Sequence, residues 1–132
     1  SNLETSPKIA LMRFDGSLFF ANAGYFEDKV LELVASKPEL KYIIIDAEGI
    51  NQIDSTGQEV LFHVVERLRE HNVELLVARM KKQFMDVMRN TKTIDFITEN
   101  HFFSRVQHSL DYCWDSLGEE YDRTQCPLRR RG

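Results

Sequence analysis

Apolar positions along the chain follow two different periods, and the places where one gives way to the other mark the elements. Ile9-Ala10-Leu11-Met12-Arg13-Phe14 is an apolar segment that meets the turn pair Asp15-Gly16 and resumes as Leu18-Phe19-Phe20-Ala21. Two short apolar runs around Asp-Gly predict a β-hairpin. Asn22 then stands where a helix N-cap belongs, ahead of Tyr25, Phe26, Val30, Leu33 and Val34, whose spacing predicts an amphipathic helix to about Lys37. Pro38 stops it. Tyr42-Ile43-Ile44-Ile45-Asp46 is apolar at successive positions and β-branched, as a strand covered on both faces should be.

After a polar loop, Ser55-Thr56-Gly57 opens a second helix with Val60, Leu61, Val64 and Leu68 on one face and Glu59, Glu66, Arg67 and Glu70 on the others. His71-Asn72 reads as a turn and Val73 to Ala78 as a strand, giving strand, helix, strand over a length that suits a right-handed parallel crossover. Lys81 to about Asn90 is a third helix with Phe84, Val87 and Met88 inward. His101-Phe102-Phe103 predicts a short edge strand, followed by Ser104 as cap of a helix carrying Val106, Leu110, Cys113 and Leu117. Trp114 falls off that stripe, either at the core edge or against a neighbouring domain. The order β-β-α-β-α-β-α-β-α predicts an α/β fold: a mostly parallel sheet, one antiparallel hairpin at the start, and helices packed on the sheet. A length of 132 residues suits one domain. Residues 1–7 read as a linker or expression remnant, 8–118 as the domain and 119–132 as a C-terminal tail with a frayed end.

Composition narrows the function. A formal net charge of -4 and a sequence pI near 5.6 exclude an overall basic face for nucleic acid; the one basic run, Arg129-Arg130-Arg131, lies at the extreme terminus. Cys113 and Cys126 are too few for a disulfide framework and suggest a reducing compartment. No run approaches the roughly 18 apolar residues of a membrane span, and Ser1 to Thr5 lacks the basic and apolar regions of a signal peptide. The four histidines, His63, His71, His101 and His108, never fall three or four residues apart on a helix. No glycine-rich phosphate loop of the dinucleotide or P-loop kind is present. Neither a metal nor a cofactor is expected. Asp46, Glu48 and Asp54 gather near the end of the central strand, but solvated loop acids explain them without a catalytic set of base, nucleophile and orienting group.

Chemistry concentrates in Asp54-Ser55-Thr56-Gly57. A helix N-terminus presents unpaired N–H groups and partial positive charge, so it can hold an anion, and a hydroxyl there can accept a phosphoryl group. The same residues serve folding alone if Ser55 with Gln58, or Thr56 with Glu59, makes a capping box.

An acidic residue, a hydroxyl pair and Gly at a strand-to-helix loop resembles the signature of STAS domains, the fold shared by anti-sigma factor antagonists and the cytoplasmic tails of SulP anion transporters. The element order matches from about Lys8 to Leu117. In the antagonists the first hydroxyl is phosphorylated, which the resemblance carries onto Ser55, with Asp54 beside it and Gly57 permitting close approach; Gln58 stands where Leu is usual. Arg13-Phe14-Asp15-Gly16-Ser17-Leu18-Phe19-Phe20-Ala21-Asn22-Ala23 is similar to a stretch of SulP tails in which the second strand runs into the first helix.

The resemblance implies a cytoplasmic regulatory module at the C-terminus of a secondary transporter of sulfate or a related anion, working through protein contacts rather than catalysis. It implies as partners the transmembrane part of the same chain, within a homodimeric transporter, and a soluble regulatory protein. The rival readings are a stand-alone phospho-switch at Ser55 and a weak nucleotide-binding module at the same helix N-terminus.

Overall fold

The computed structural model describes residues 2–18, 20–90, 97 and 101–129. Five strands form the main sheet in the order β1-β2-β4-β6-β7, built from β1 (Asn2–Thr5), β2 (Ile9–Arg13), β4 (Tyr42–Asp46), β6 (Glu74–Ala78) and β7 (Phe102–Phe103). β1 pairs antiparallel with β2, and all other neighbours in this sheet are parallel. A second, two-stranded parallel sheet joins β3 (Gly16–Leu18) to β5 (Ile50–Ile53). The helices are α1 (Phe20–Ser36), α2 (Ser55–Glu70), α3 (Lys82–Asn90) and α4 (Val106–Leu117).

The run of isoleucines explains the layering. All five residues of β4 are buried, and because successive side chains point to opposite faces they divide between two cores. Ile43 and Ile45 join Ala10, Met12, Leu75 and Val77 beneath helices α1, α2 and α3. Tyr42 and Ile44 join Ile9, Leu11, Leu76 and Ala78 on the other face, under α4. Among the described residues α1, α2 and α3 lie on one face and α4 on the other, where residues after α4 add cover: Cys126 (7% exposed) and Leu128 (1%) complete the second layer. Trp114 is buried in this layer as well, which settles the two readings left open for it.

Several expectations are corrected. The antiparallel hairpin exists, but it joins Asn2–Thr5 to Ile9–Arg13; the segment read as a linker supplies its first strand. The Asp15-Gly16 pair does not fold the chain back. It leads into Gly16–Leu18, which runs parallel to Ile50–Ile53, a pairing that local turn chemistry cannot reveal because the partner lies more than thirty positions away. α1 begins at Phe20, so Asn22 lies inside the helix and does not cap it. α4 is preceded by Arg105 in extended conformation (φ -137°, ψ 147°) without a side-chain cap bond, so Ser104 is not its cap. Val87 is exposed while Phe84 and Met88 are buried, which leaves α3 a narrower apolar face than expected. Residues 119–129 are packed against the sheet where a frayed end was expected.

Other readings hold. Asn72 closes the turn after α2 in the left-handed region (φ 58°), where Asn is among the few side chains tolerated. There Val73 N–H reaches the Leu68 carbonyl at 2.9 Å. The edge strand at Phe102–Phe103 and the apolar stripes of α2 and α4 fall where the spacing put them. No helix among the described residues is long and apolar enough to cross a membrane. Replacing Ile43→Ala is expected to lower the unfolding free energy by about 2–5 kcal/mol, the usual cost of such a cavity in a close-packed core, measured by urea denaturation followed by far-UV circular dichroism.

Candidate functional site

β5 ends at Ile53, and the next residue, Asp54, is still extended (φ -107°, ψ -179°) with the helix beginning immediately after it. That geometry defines an N-cap. Its Oδ1 accepts the Gly57 N–H at 2.8 Å, and its carbonyl accepts the Gln58 N–H at 3.0 Å. The cap is therefore Asp54, one position ahead of the first capping box the sequence suggested and two ahead of the second. The physical reason is that Asp ranks with Ser as a cap and its charge also suits the positive end of the helix dipole.

The consequences for the neighbours differ. Ser55 is exposed at the first helical position, its hydroxyl not required for capping. Thr56 is half-buried, and Gly57 is buried against the first core. The four residues singled out by sequence thus lie together as one turn, with Ser55 outermost. Directly beneath, Ile45, Ile50, Ile53, Leu61, Val77 and Met80 enclose a cavity of about 10 Å³, far too small for a ligand by comparison with usual pockets of several hundred Å³.

The acids expected near this loop do not form a cluster of solvated carboxylates. Asp46, at the end of β4, is buried and receives Arg79 Nε at 3.1 Å and Nη2 at 2.5 Å. Glu48 takes the remaining arm of the same guanidinium. Arg13, at the end of β2, adds contacts of 3.7 Å to both Asp46 and Glu48 and bonds Asp15 Oδ1 at 2.9 Å. Arg79 therefore holds its proton more firmly than usual, chiefly through the hydrogen bond to Asp46. Asp54 is outside this group, as the cap.

Two features of this network were invisible in the sequence. Arg79 sits at φ 60°, a conformation that costs a non-glycine residue about 1–2 kcal/mol. Its N–H donates to the Phe103 carbonyl at 2.8 Å while its side chain forks onto Asp46, so strand pairing and ion pairing together hold the unfavourable dihedral. A Cβ at Gly49 would fall 1.8 Å from Asp15 Oδ1 and 3.1 Å from Asp15 Cα, so any larger residue there would have to displace the carboxylate that Arg13 holds. The nearby backbone is pinned too, Ala47 N–H donating to the Ala78 carbonyl at 2.8 Å. The network fixes the chain between β4 and β5 and so sets where Asp54 and α2 begin.

The fold and its loop define an α/β module whose exposed hydroxyl stands at a helix N-terminus above a closed core. The STAS domain family model matches residues 1–109; the chain belongs to the STAS domain family. Among curated relatives, the low affinity sulfate transporter 3 of Stylosanthes hamata is 28% identical over 123 residues, covering 85% of this chain and 19% of that protein. The chain spans 16% to 19% of the length of the curated relatives it matches. Among solved structures, the SulP transporter STAS domain from Vibrio cholerae superimposes with a TM-score of 0.71 at 15% identity, covering 86% of this chain and 87% of that one. The anti-sigma factor antagonist SpoIIAA in its unphosphorylated form gives 0.69 at 13% identity, covering 85% and 94%. Both likenesses are in fold.

The capping assignment separates two variants. Asp54→Ala is expected to cost about 1 kcal/mol of stability, and Ser55→Ala to stay within about 0.5 kcal/mol of the parent, both read from urea midpoints. In the network, Arg79→Ala is expected to cost about 1–3 kcal/mol, because a buried carboxylate loses its charged donor while Arg13 and the partly open site soften the loss. Its measurable signature is faster amide exchange from Ala47 to Asp54.

Proposed function

We propose that this STAS domain is the cytoplasmic, C-terminal regulatory part of a SulP-family transporter of sulfate or a related anion, and that it acts by protein contact and not by catalysis. The reading rests first on the relatives: this chain aligns with sulfate transporters over a segment that is less than a fifth of their length, as an accessory domain of a larger transporter would. The transmembrane part of the same chain is the principal partner, within a homodimer, and the anion is handled there and not here.

The contact surface is the turn Asp54 to Gly57 with the exposed positions around it, Asn51, Gln52, Ser55 and Glu59. The Asp54 carboxylate already occupies the Gly57 N–H. A free phosphate or nucleotide would have to displace a like charge to bind there, which disfavours the nucleotide reading. A protein surface need not, because it can engage the exposed positions around the turn and leave the cap intact.

The second reading is a phospho-switch, favoured by one observation: the Ser55 hydroxyl is exposed and free of capping duty. A phosphoryl group there adds nearly two negative charges beside the Asp54 carboxylate, and repulsion would loosen the cap and alter the docking turn. In this reading a soluble regulatory protein is the partner.

Sulfate uptake by proteoliposomes of the full-length gene product tests both. Ser55→Glu is expected to change the uptake rate at least twofold with unchanged protein incorporation, while Ser55→Ala leaves it near parent. A gene whose reading frame encodes no apolar spans beyond these residues would sink the transporter reading. In that case stoichiometric phosphate on Ser55 after incubation with cell extract and ATP, absent in Ser55→Ala, would establish the switch.

A further inference from the structure

Residues 119–129 lie outside the matched family segment of 1–109 and close the second layer in an unusual way. Among the described residues, backbone donors from Gly118 onward reach carbonyls only three or four positions back: Gly118 to Trp114, Tyr121 to Gly118, Gln125 to Asp122, Cys126 to Arg123 and Arg129 to Cys126. No sheet ladder holds the segment. Its attachments are side chains. Leu128 and Cys126 are buried, and Arg123 pairs with Asp115 at 3.0 Å while lying 5.7 Å over the Trp114 ring.

One polar contact reaches across the fold. Tyr121 donates its hydroxyl to Ser6 Oγ at 3.0 Å, and the Cys126 sulfur lies 3.3 Å from the same phenolic oxygen. Ser6 is itself buried in the β1–β2 turn, where its Oγ accepts the Ile9 N–H at 3.2 Å. The contact therefore ties the segment to the turn of the hairpin.

We infer that residues 119–129 form a latch over the second layer, opening as a unit without global unfolding and held shut by the Tyr121–Ser6 contact. Local opening is governed by what a segment loses when it detaches, and this one loses a few side-chain contacts and no interstrand hydrogen bonds. The Trp114 indole N–H is buried and has no hydrogen-bond partner among the described residues. Opening exposes the part of the second layer that Tyr121, Cys126 and Leu128 complete.

The two cysteines make the opening measurable. Both thiols are free and buried in this layer, and burial pushes the Cys113 thiol well above its ordinary pKa, so it reacts only when exposed. Labelling of the 132-residue chain with an aromatic disulfide reagent, without denaturant and with peptide mass spectrometry to assign the site, reads the latch at Cys126.

Tyr121→Phe keeps the ring and removes only the hydroxyl; it is expected to speed Cys126 labelling about fivefold, the effect of losing one ordinary hydrogen bond. Ile43→Ala, which weakens the opposite core, is expected to leave that rate within about twofold of the parent. The latch is overturned if Tyr121→Phe leaves the rate unchanged. It is equally overturned if Ile43→Ala accelerates labelling by as much as it lowers global stability, since the segment would then open only with the whole domain. The inference does not depend on the transporter reading.

Discussion

The structure depends on a central strand that can face water on neither side. β4 pairs parallel with β2 and β6 at once, and all five of its residues are buried, so both faces of the sheet must be covered. Parallel neighbours in turn demand crossover connections long enough to hold a helix. α1 and α2 supply these on one face, and their apolar stripes bury Phe26, Val30, Leu33, Leu61, Val64 and Leu68 against Ile43 and Ile45. The other face receives α4 only after the sheet is complete. A single helix cannot cover five strands, which is why the chain beyond it is drawn in.

That constraint also explains which parts of the fold could be read from sequence. The Tyr42–Asp46 run announced a doubly covered strand, and α2 and α4 announced themselves by spacing, because in each case the signal and its structural cause lie within one element. The hairpin was misplaced for the opposite reason. Asp15-Gly16 carries strong local turn chemistry, but its neighbours satisfy their backbone with Ile50–Ile53, a strand of four residues too short to show a period. Asn2–Thr5 gave no sign of pairing because Leu3 is its one large apolar residue. The latch escaped notice because Tyr121, Cys126 and Leu128 follow neither a helical nor a strand period; their common destination is set by the uncovered face and not by their spacing.

The site divides in the same way. Asp54 to Gly57 was legible as a helix start, since caps are written in adjacent residues, though the carboxylate and not a hydroxyl took the role. Arg79 was not legible. Nothing in the sequence around it distinguishes a residue held at φ 60° by a carboxylate thirty-three positions away, and the two acids it pairs with had been read as solvated. The approach of Asp15 to Gly49 is equally non-local. Local chemistry proposed the loop, and contacts between strand ends determine its position.

Two devices thus bracket β2. Ser6, which receives Tyr121, precedes its first residue, and Arg13, which joins the ion network behind the Asp54–Gly57 turn, is its last. Five strand residues separate their ends by roughly 17 Å, beyond the distance at which independent sites usually couple. Opening the latch and perturbing Asp54 should therefore combine additively if β2 is a rigid spacer. β2 is bonded along its length to β1 and β4, and sliding it would break two ladders at once, so the arrangement favours rigidity. A change at the Asp54–Gly57 turn would then leave the latch undisturbed, because the two lie at opposite ends of a strand held on both sides.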